Sequence, residues 1–242
     1  MVHLHLPVDQ DAEFEDQPLP TRMLRQILVG RKVHLGGRVL VAGCGRGDFV
    51  AYLGNLGYCV EGLDEDEDAI LNARQRFPLF DFHHGQLGSS AEIPVEDFDL
   101  ILVQNVAIYQ NSLLDLGARS ATANLLAALK PDGDLVFIDK QDQNSENGDG
   151  HQSSCWKRHL ACFPGELQLD NYPESFFDRA SWDWLWGLRQ HQNHFTVTFQ
   201  TRSTTKQSRA FWCDLARRGM MTDQGACCPN HAQAAGTIRR AA

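Results

Sequence analysis

The 242 residues, 43% of them apolar, are enough to bury a full core in one large domain or two small ones. With 31 acidic and 22 basic side chains the formal charge is −9, and neither Arg217-Arg218 nor Arg239-Arg240 is the concentrated basic face that displacing counterions from a nucleic acid requires. No run of 18 apolar residues offers a bilayer span, Met1–Pro7 lacks the pattern of a signal peptide, and seven irregularly spaced cysteines suggest no disulfide framework, so the expected address is the cytoplasm.

Residues 1–20 are acidic and proline-punctuated and read as an irregular arm. Thr21, after Pro20, is placed to cap a helix over Arg22–Val29 with Met23, Leu24, Ile27 and Leu28 on its apolar face. Gly36-Gly37 ends that unit. Arg38–Ala42 is then a short apolar run without alternation, as in a strand buried on both faces of a parallel sheet. The rhythm repeats: helix Asp48–Leu56 closed by Gly57, strand Tyr58–Leu63 ending at Asp64, helix Asp66–Phe77, and strand Leu79–His83. Strand Phe98–Val103, a long helix Ser112–Leu129, a Pro131-Asp132-Gly133 turn and strand Leu135–Asp139 follow. Alternation at this spacing predicts a doubly wound α/β fold, with the loops after the strands gathered along one ligand-binding edge.

Beyond residue 140 the pattern changes. Gln141–Gly150 is a polar loop, Ser153–Phe163 reads as a helix, Glu166–Asn171 as a strand and Phe177–Leu188 as a tryptophan-bearing helix. His194–Thr201 alternates Phe195, Val197 and Phe199 with polar residues, the mark of a half-exposed antiparallel strand. No repeat and no linker interrupts the chain. The expected organisation is therefore one domain over 21–223, elaborated at 140–190, followed by a loosely held tail over 224–242.

Gly43, Gly45 and Gly47 lie between a buried strand and a helix, where glycine permits a tight turn and lets backbone N–H groups approach a ligand at the helix N-terminus. Asp64 ends the next strand, 21 residues after Gly43, and its carboxylate can accept both hydroxyls of a ribose. It could equally cap the helix over 65–77. The dinucleotide fingerprint would put its third glycine at position 48, which is Asp48, an acid that would repel a pyrophosphate.

The form Gly-x-Gly-x-Gly in Leu40-Val41-Ala42-Gly43-Cys44-Gly45-Arg46-Gly47 resembles motif I of the class I S-adenosylmethionine-dependent methyltransferases. Val60–Asp64 resembles that family's second strand, Phe98–Val103 its fourth, Leu129–Leu135 the approach to its fifth, and the alternating 194–201 segment its antiparallel last strand. The resemblance covers roughly residues 21–140. It implies a mostly parallel seven-stranded sheet with an antiparallel last strand, helices on both faces, and S-adenosylmethionine held on the loop Gly43-Cys44-Gly45-Arg46-Gly47. It places Asp64 on the ribose, Gln86 and Leu87 around the adenine, and Gln104 and Asn105 along the methionyl side. Two departures concern the adenine: Glu65 stands where the family has an apolar neighbour, and Gln86 where it often has an acid.

Methyl transfer to a small-molecule acceptor, or to a protein side chain, is the activity the resemblance implies. A non-catalytic cofactor-binding scaffold and a nicotinamide-dependent oxidoreductase are the competing classes. Displacement at a sulfonium-bearing carbon needs alignment and desolvation more than a base, so the sequence singles out no catalytic residue. Residues 105–109, Asn-Val-Ala-Ile-Tyr, lack the Pro-Pro-aromatic element of many amino-group methyltransferases. Tyr109 falls near the site as a core or rim aromatic. Trp156, Trp182, Trp184 and Trp186 are candidates for an acceptor wall or for core, and His151 and His159 for a base or for structure. His151, Cys155, His159 and Cys162 fall on one stripe of a continuous helix, with Cys227, Cys228 and His231 farther on. A tetrahedral site rarely draws four ligands from one helix and Cys-x-x-Cys knuckles are missing, so no metal is expected.

Overall fold

The computed structural model describes residues 21–29, 31, 33–89, 93, 97–142, 153–172, 192–201 and 205–222. Helix α1 (Thr21–Val29) precedes strand β1 (Arg38–Ala42), helix α2 (Asp48–Asn55), strand β2 (Cys59–Asp64), helix α3 (Glu67–Arg76), and strands β3 (Asp81–His84) and β4 (Phe98–Gln104). Then come helices α4 (Ala107–Asn111) and α5 (Leu116–Ala128), strand β5 (Leu129–Asp142), helix α6 (Ser153–Leu160), strands β6 (Gly165–Tyr172) and β7 (Gln192–Thr201), and helix α7 (Arg209–Thr222). The seven strands form one sheet in the order β3-β2-β1-β4-β5-β7-β6. Strands β3, β2, β1, β4 and β5 are mutually parallel, and β7 runs antiparallel to both of its neighbours. The doubly wound sheet with its antiparallel last strand is thus as expected.

Both faces are covered, which is why β1 and β4 carry the continuous apolar runs Val39–Ala42 and Leu100–Val103. On one face Val39, Val41, Val60, Leu100, Leu102 and Val136 pack against Leu24, Ile27 and Leu28 of α1, Phe49, Val50 and Leu53 of α2, and Ile70 and Ala73 of α3. On the other, Leu40, Ala42, Leu63, Ile101, Val103, Leu135, Phe137, Val197 and Phe199 pack against α5, α6 and α7.

Several boundaries differ from expectation for identifiable reasons. The helix expected over Ser112–Leu129 starts only at Leu116, because the Asp115 side chain accepts from the Ala118 N–H at 2.8 Å and caps α5 there; the short helix α4 before it was not expected. Asp66, not Asp64, caps α3, its side chain accepting from the N–H groups of Asp68 and Ala69. Leu79, expected in a strand, is exposed in a turn, while its neighbour Phe80 packs at Gly54 of α2. The turn expected at 131–133 lies inside β5: the β4 pairing jumps from Phe98–Leu129 to Leu100–Asp134, so residues 130–133 bulge out of register. Gly133 sits against the β4 backbone, where a Cβ would lie 2.9 Å from the Phe98 carbonyl oxygen. Helix α7 escaped the sequence reading. Its core face is Trp212, Ala216 and Gly219, too small and mixed to register as an apolar stripe. The arm over 1–20, the helix expected over 177–188 and the tail over 224–242 lie outside the described residues.

Candidate active site

Chain order reverses at β1, which has β2 on one side and β4 on the other, so the carboxyl ends of these strands open a crevice. Gly43, Leu63, Asp64, Glu65, Gly85, Leu87, Asn105 and Val106 line it around about 280 Å³ of empty space, solvent mouth included. Of the residues singled out in the sequence, Gly43, Asp64, Glu65, Leu87 and Asn105 therefore meet there. Cys44, Gly45, Gly47, Gln86 and Gln104 do not line it, whereas Leu63, Gly85 and Val106 do.

The Asp64 carboxylate is held before any ligand arrives. One oxygen accepts from the Gly45 N–H at 2.7 Å and the other from the Asp66 N–H at 2.9 Å, while the Asp64 carbonyl accepts from the Gly85 N–H at 2.9 Å. A carboxylate has about four acceptor positions, so two remain for donors from the crevice.

The glycine loop works differently from the phosphate cradle its sequence suggests. The Gly43 and Cys44 N–H groups both donate to the Leu63 carbonyl, at 2.8 and 3.2 Å, and the Gly47 N–H donates to Cys44 at 3.0 Å. With the Gly45 N–H on Asp64, these loop donors are committed within the protein. The glycines serve close approach instead. A Cβ on Gly43 (φ 77°) would stand 2.0 Å from the Gln104 carbonyl oxygen, and one on Gly47 (φ 88°) 2.7 Å from the Phe82 ring. Only at Gly45 (φ 52°) would a Cβ meet open space.

The Cys44 side chain turns into the core beside Gly62. Burial, and then the Asp64 charge, push its thiol up to about 12, so it offers no thiolate. Gln104 also points inward from the crevice, its Nε2 donating to the Gly43 carbonyl at 3.3 Å. Next to it Asn105 has a positive φ of 49°, a conformation asparagine tolerates and one that recurs at ligand sites. Its Oδ1 accepts from Gln110 Nε2 at 3.0 Å. Across the crevice, His84 Nε2 pairs with the Glu65 carbonyl at 3.2 Å, and buried Asn124 donates to the Leu87 carbonyl at 3.0 Å. Asn124 lies on α5, distant in sequence, and no local pattern marks it.

The aromatic candidates divide clearly. Tyr109 is buried among Phe137, Trp156 and His159, its hydroxyl 3.1 Å from Thr122 Oγ1, and burial pushes its phenol well above the ordinary range. His159 is fully buried, with Nε2 2.8 Å from Thr122 Oγ1 and Nδ1 on the Leu113 carbonyl. The carbonyl only accepts, so Nδ1 carries the proton in this pairing. Both rings are core. Helix α6 ends at Leu160, so Cys162 lies beyond it and the expected one-helix stripe is interrupted. Among the described residues no group of three potential metal ligands converges. His151, Trp182, Trp184, Trp186, Cys227, Cys228 and His231 lie outside the described residues.

Comparison with known proteins now adds to this geometry. A family model described as a methyltransferase domain matches residues 39–133, the segment that builds β1 to β4, the crevice and the start of β5. Over residues 39–133 the chain is thus similar to a methyltransferase domain. A curated relative, a probable S-adenosylmethionine-dependent methyltransferase of Mycolicibacterium smegmatis, is 36% identical over 76 residues, which are 31% of this chain and 28% of the relative. The chain thus matches little more than a quarter of that relative's length. Among solved structures, a TehB-like S-adenosylmethionine-dependent methyltransferase of Corynebacterium glutamicum is 25% identical with a TM-score of 0.53, covering 80% of this chain and 90% of that one. The N-methyltransferase NodS of Bradyrhizobium japonicum, solved with S-adenosyl-L-homocysteine, is 20% identical with a TM-score of 0.56, covering 81% and 93%. The second likeness is one of fold. Among the described residues of the methyltransferase-like chain, no helix is long and apolar enough to cross a membrane.

Proposed function

We propose that this chain binds S-adenosylmethionine in the crevice at the ends of β1, β2 and β4 and transfers its methyl group to a small-molecule acceptor. The observation that carries the reading is Asp64: a carboxylate at the end of β2, fixed by two backbone N–H groups, with acceptor capacity left toward the crevice. Two adjacent ribose hydroxyls are the donors that suit it. Gly43, Gly45 and Gly47 shape the turn beside the methionyl part, Gln104 fastens Gly43, and Asn105 reaches the methionyl side. Leu87 and Val106 supply apolar walls, and Glu65 and Gln86 form the adenine rim with Leu87. The commitment of the loop N–H groups inside the protein also suits a ligand without phosphates.

When bound, the cofactor supplies a methyl group on a sulfonium, an electrophile already carrying its leaving group. The chain's contribution is to hold and orient it and to keep water from it. The acceptor side falls to the region 140–190, within a single domain over 21–223. The irregular spacing of the seven cysteines suits a reducing compartment, the cytoplasm. Calorimetric titration with S-adenosylmethionine, S-adenosylhomocysteine and NADH tests the reading. Micromolar binding of the first two alone supports it, NADH alone refutes the assignment of the loop, and no binding refutes the cofactor.

A further inference from the structure

The glycine loop is gripped from outside the crevice by the end of α3. Arg76, the last residue of α3, donates from one guanidinium nitrogen to the Arg46 carbonyl at 3.3 Å, and its other terminal nitrogen lies 2.9 Å from an Asp48 carboxylate oxygen. Its guanidinium carbon sits 4.8 Å from the centre of the Phe77 ring. Phe77 in turn lies under Gly47, where a Cβ would come within 3.1 Å of its ring. Three consecutive loop residues, 46, 47 and 48, are thus held by two consecutive residues of another element. The planar guanidinium is suited to this, since its fork can serve a carbonyl and a carboxylate at once while its face lies on a ring.

We infer that Arg76 is a positioning residue for the cofactor-binding reading above. It holds the Gly45–Asp48 turn in the conformation that presents the Gly45 N–H to Asp64, and so fixes the ribose-facing carboxylate from the far side of the loop. Asp48 is its partner in this, which gives the acid at the helix start a role besides opposing a pyrophosphate. An exposed ion pair alone contributes little. The carbonyl bond and the ring beneath are what make this contact a clamp on backbone geometry.

The test uses the full chain. Amide hydrogen exchange of the 44–48 segment, read without ligand, is compared in the unmodified protein and in Arg76→Ala, Arg76→Lys and Asp48→Asn. The same four proteins are titrated with S-adenosylhomocysteine. Arg76→Ala is expected to speed loop exchange and weaken S-adenosylhomocysteine by about fivefold each, the size of one modest contact, with exchange in β1 and β4 unchanged. Arg76→Lys keeps a charge for Asp48 but loses the fork, and Asp48→Asn keeps the carbonyl bond, so both fall between. These two also carry the test if Arg76→Ala does not fold. Unchanged loop exchange in all three variants overturns the clamp, and faster exchange with unchanged affinity overturns its positioning role. An unmodified protein that binds no S-adenosylhomocysteine refutes the cofactor reading and the positioning role with it, and is recognised because the failure precedes any substitution.

Discussion

Replacing Asp64 by alanine removes two things that can be measured separately. The first is structural: the Gly45 and Asp66 N–H groups lose a charged acceptor at 2.7 and 2.9 Å. The site is open to water, which replaces the carboxylate, so the loss is expected to be about 1–2 kcal/mol of stability rather than the larger cost of orphaned buried donors. The second is the ligand term, about 1.5–3 kcal/mol for hydrogen bonds to a charged group, or roughly a 10- to 150-fold weaker dissociation constant. Asp64→Asn separates them further. Its amide offers one acceptor oxygen, so it can serve Gly45 or Asp66 but not both, and little remains for a diol. Thermal unfolding reads the first term and titration with S-adenosylhomocysteine the second. A dissociation constant unchanged in both variants would refute the ribose assignment, whatever the stability.

Gly43→Ala is expected to be severely destabilising, by more than about 3 kcal/mol, because its Cβ meets a backbone oxygen that cannot move aside. Gly45→Ala meets only the left-handed backbone cost, about 1–2 kcal/mol, so equal loss of melting temperature in the two would contradict the close-approach account. Glu61 gives a pH prediction. Its hydrogen bond from His83 foremost, then its contact with Arg38, outweigh burial and hold its carboxyl below the usual range. Its stabilising contribution is therefore present above the unfolded-state carboxyl range and is lost as pH falls through the lowered folded value. Glu61→Gln should destabilise at pH 7 in urea unfolding, with the difference shrinking toward pH 3; a difference independent of pH would exclude the charge as the cause. Iodoacetamide at pH 8 should label exposed Cys59 and spare Cys44 in the folded protein, as peptide mass spectrometry can show.

The amino-acid sequence alone determined the alternation of strands and helices, the sheet edge where the crevice opens, and the pairing of the glycine loop with Asp64. These are legible because they are local: an unalternated Val-Leu run has to be buried on both faces, a glycine turn follows it, and an acid ends the next strand. The alternating Phe195–Thr201 segment likewise announced an antiparallel strand. Only the tertiary structure decided what each side chain faces. Cys44 and Asp64 are both neighbours of the loop in motif terms, yet one is turned into the core at Gly62 and the other toward the crevice. Tyr109 and His159, credible near a site by position, are fixed in the core by Thr122, a residue distant from His159 in sequence. The loop amides that glycine spacing offered to a ligand are bound to Leu63, Cys44 and Asp64 instead. Contacts such as Arg76 on Arg46 and Asn124 on Leu87 join residues 30 and 37 positions apart. They depend on how α3 and α5 lie against the strand ends, and a periodicity of 2 or 3.6 residues carries no record of that.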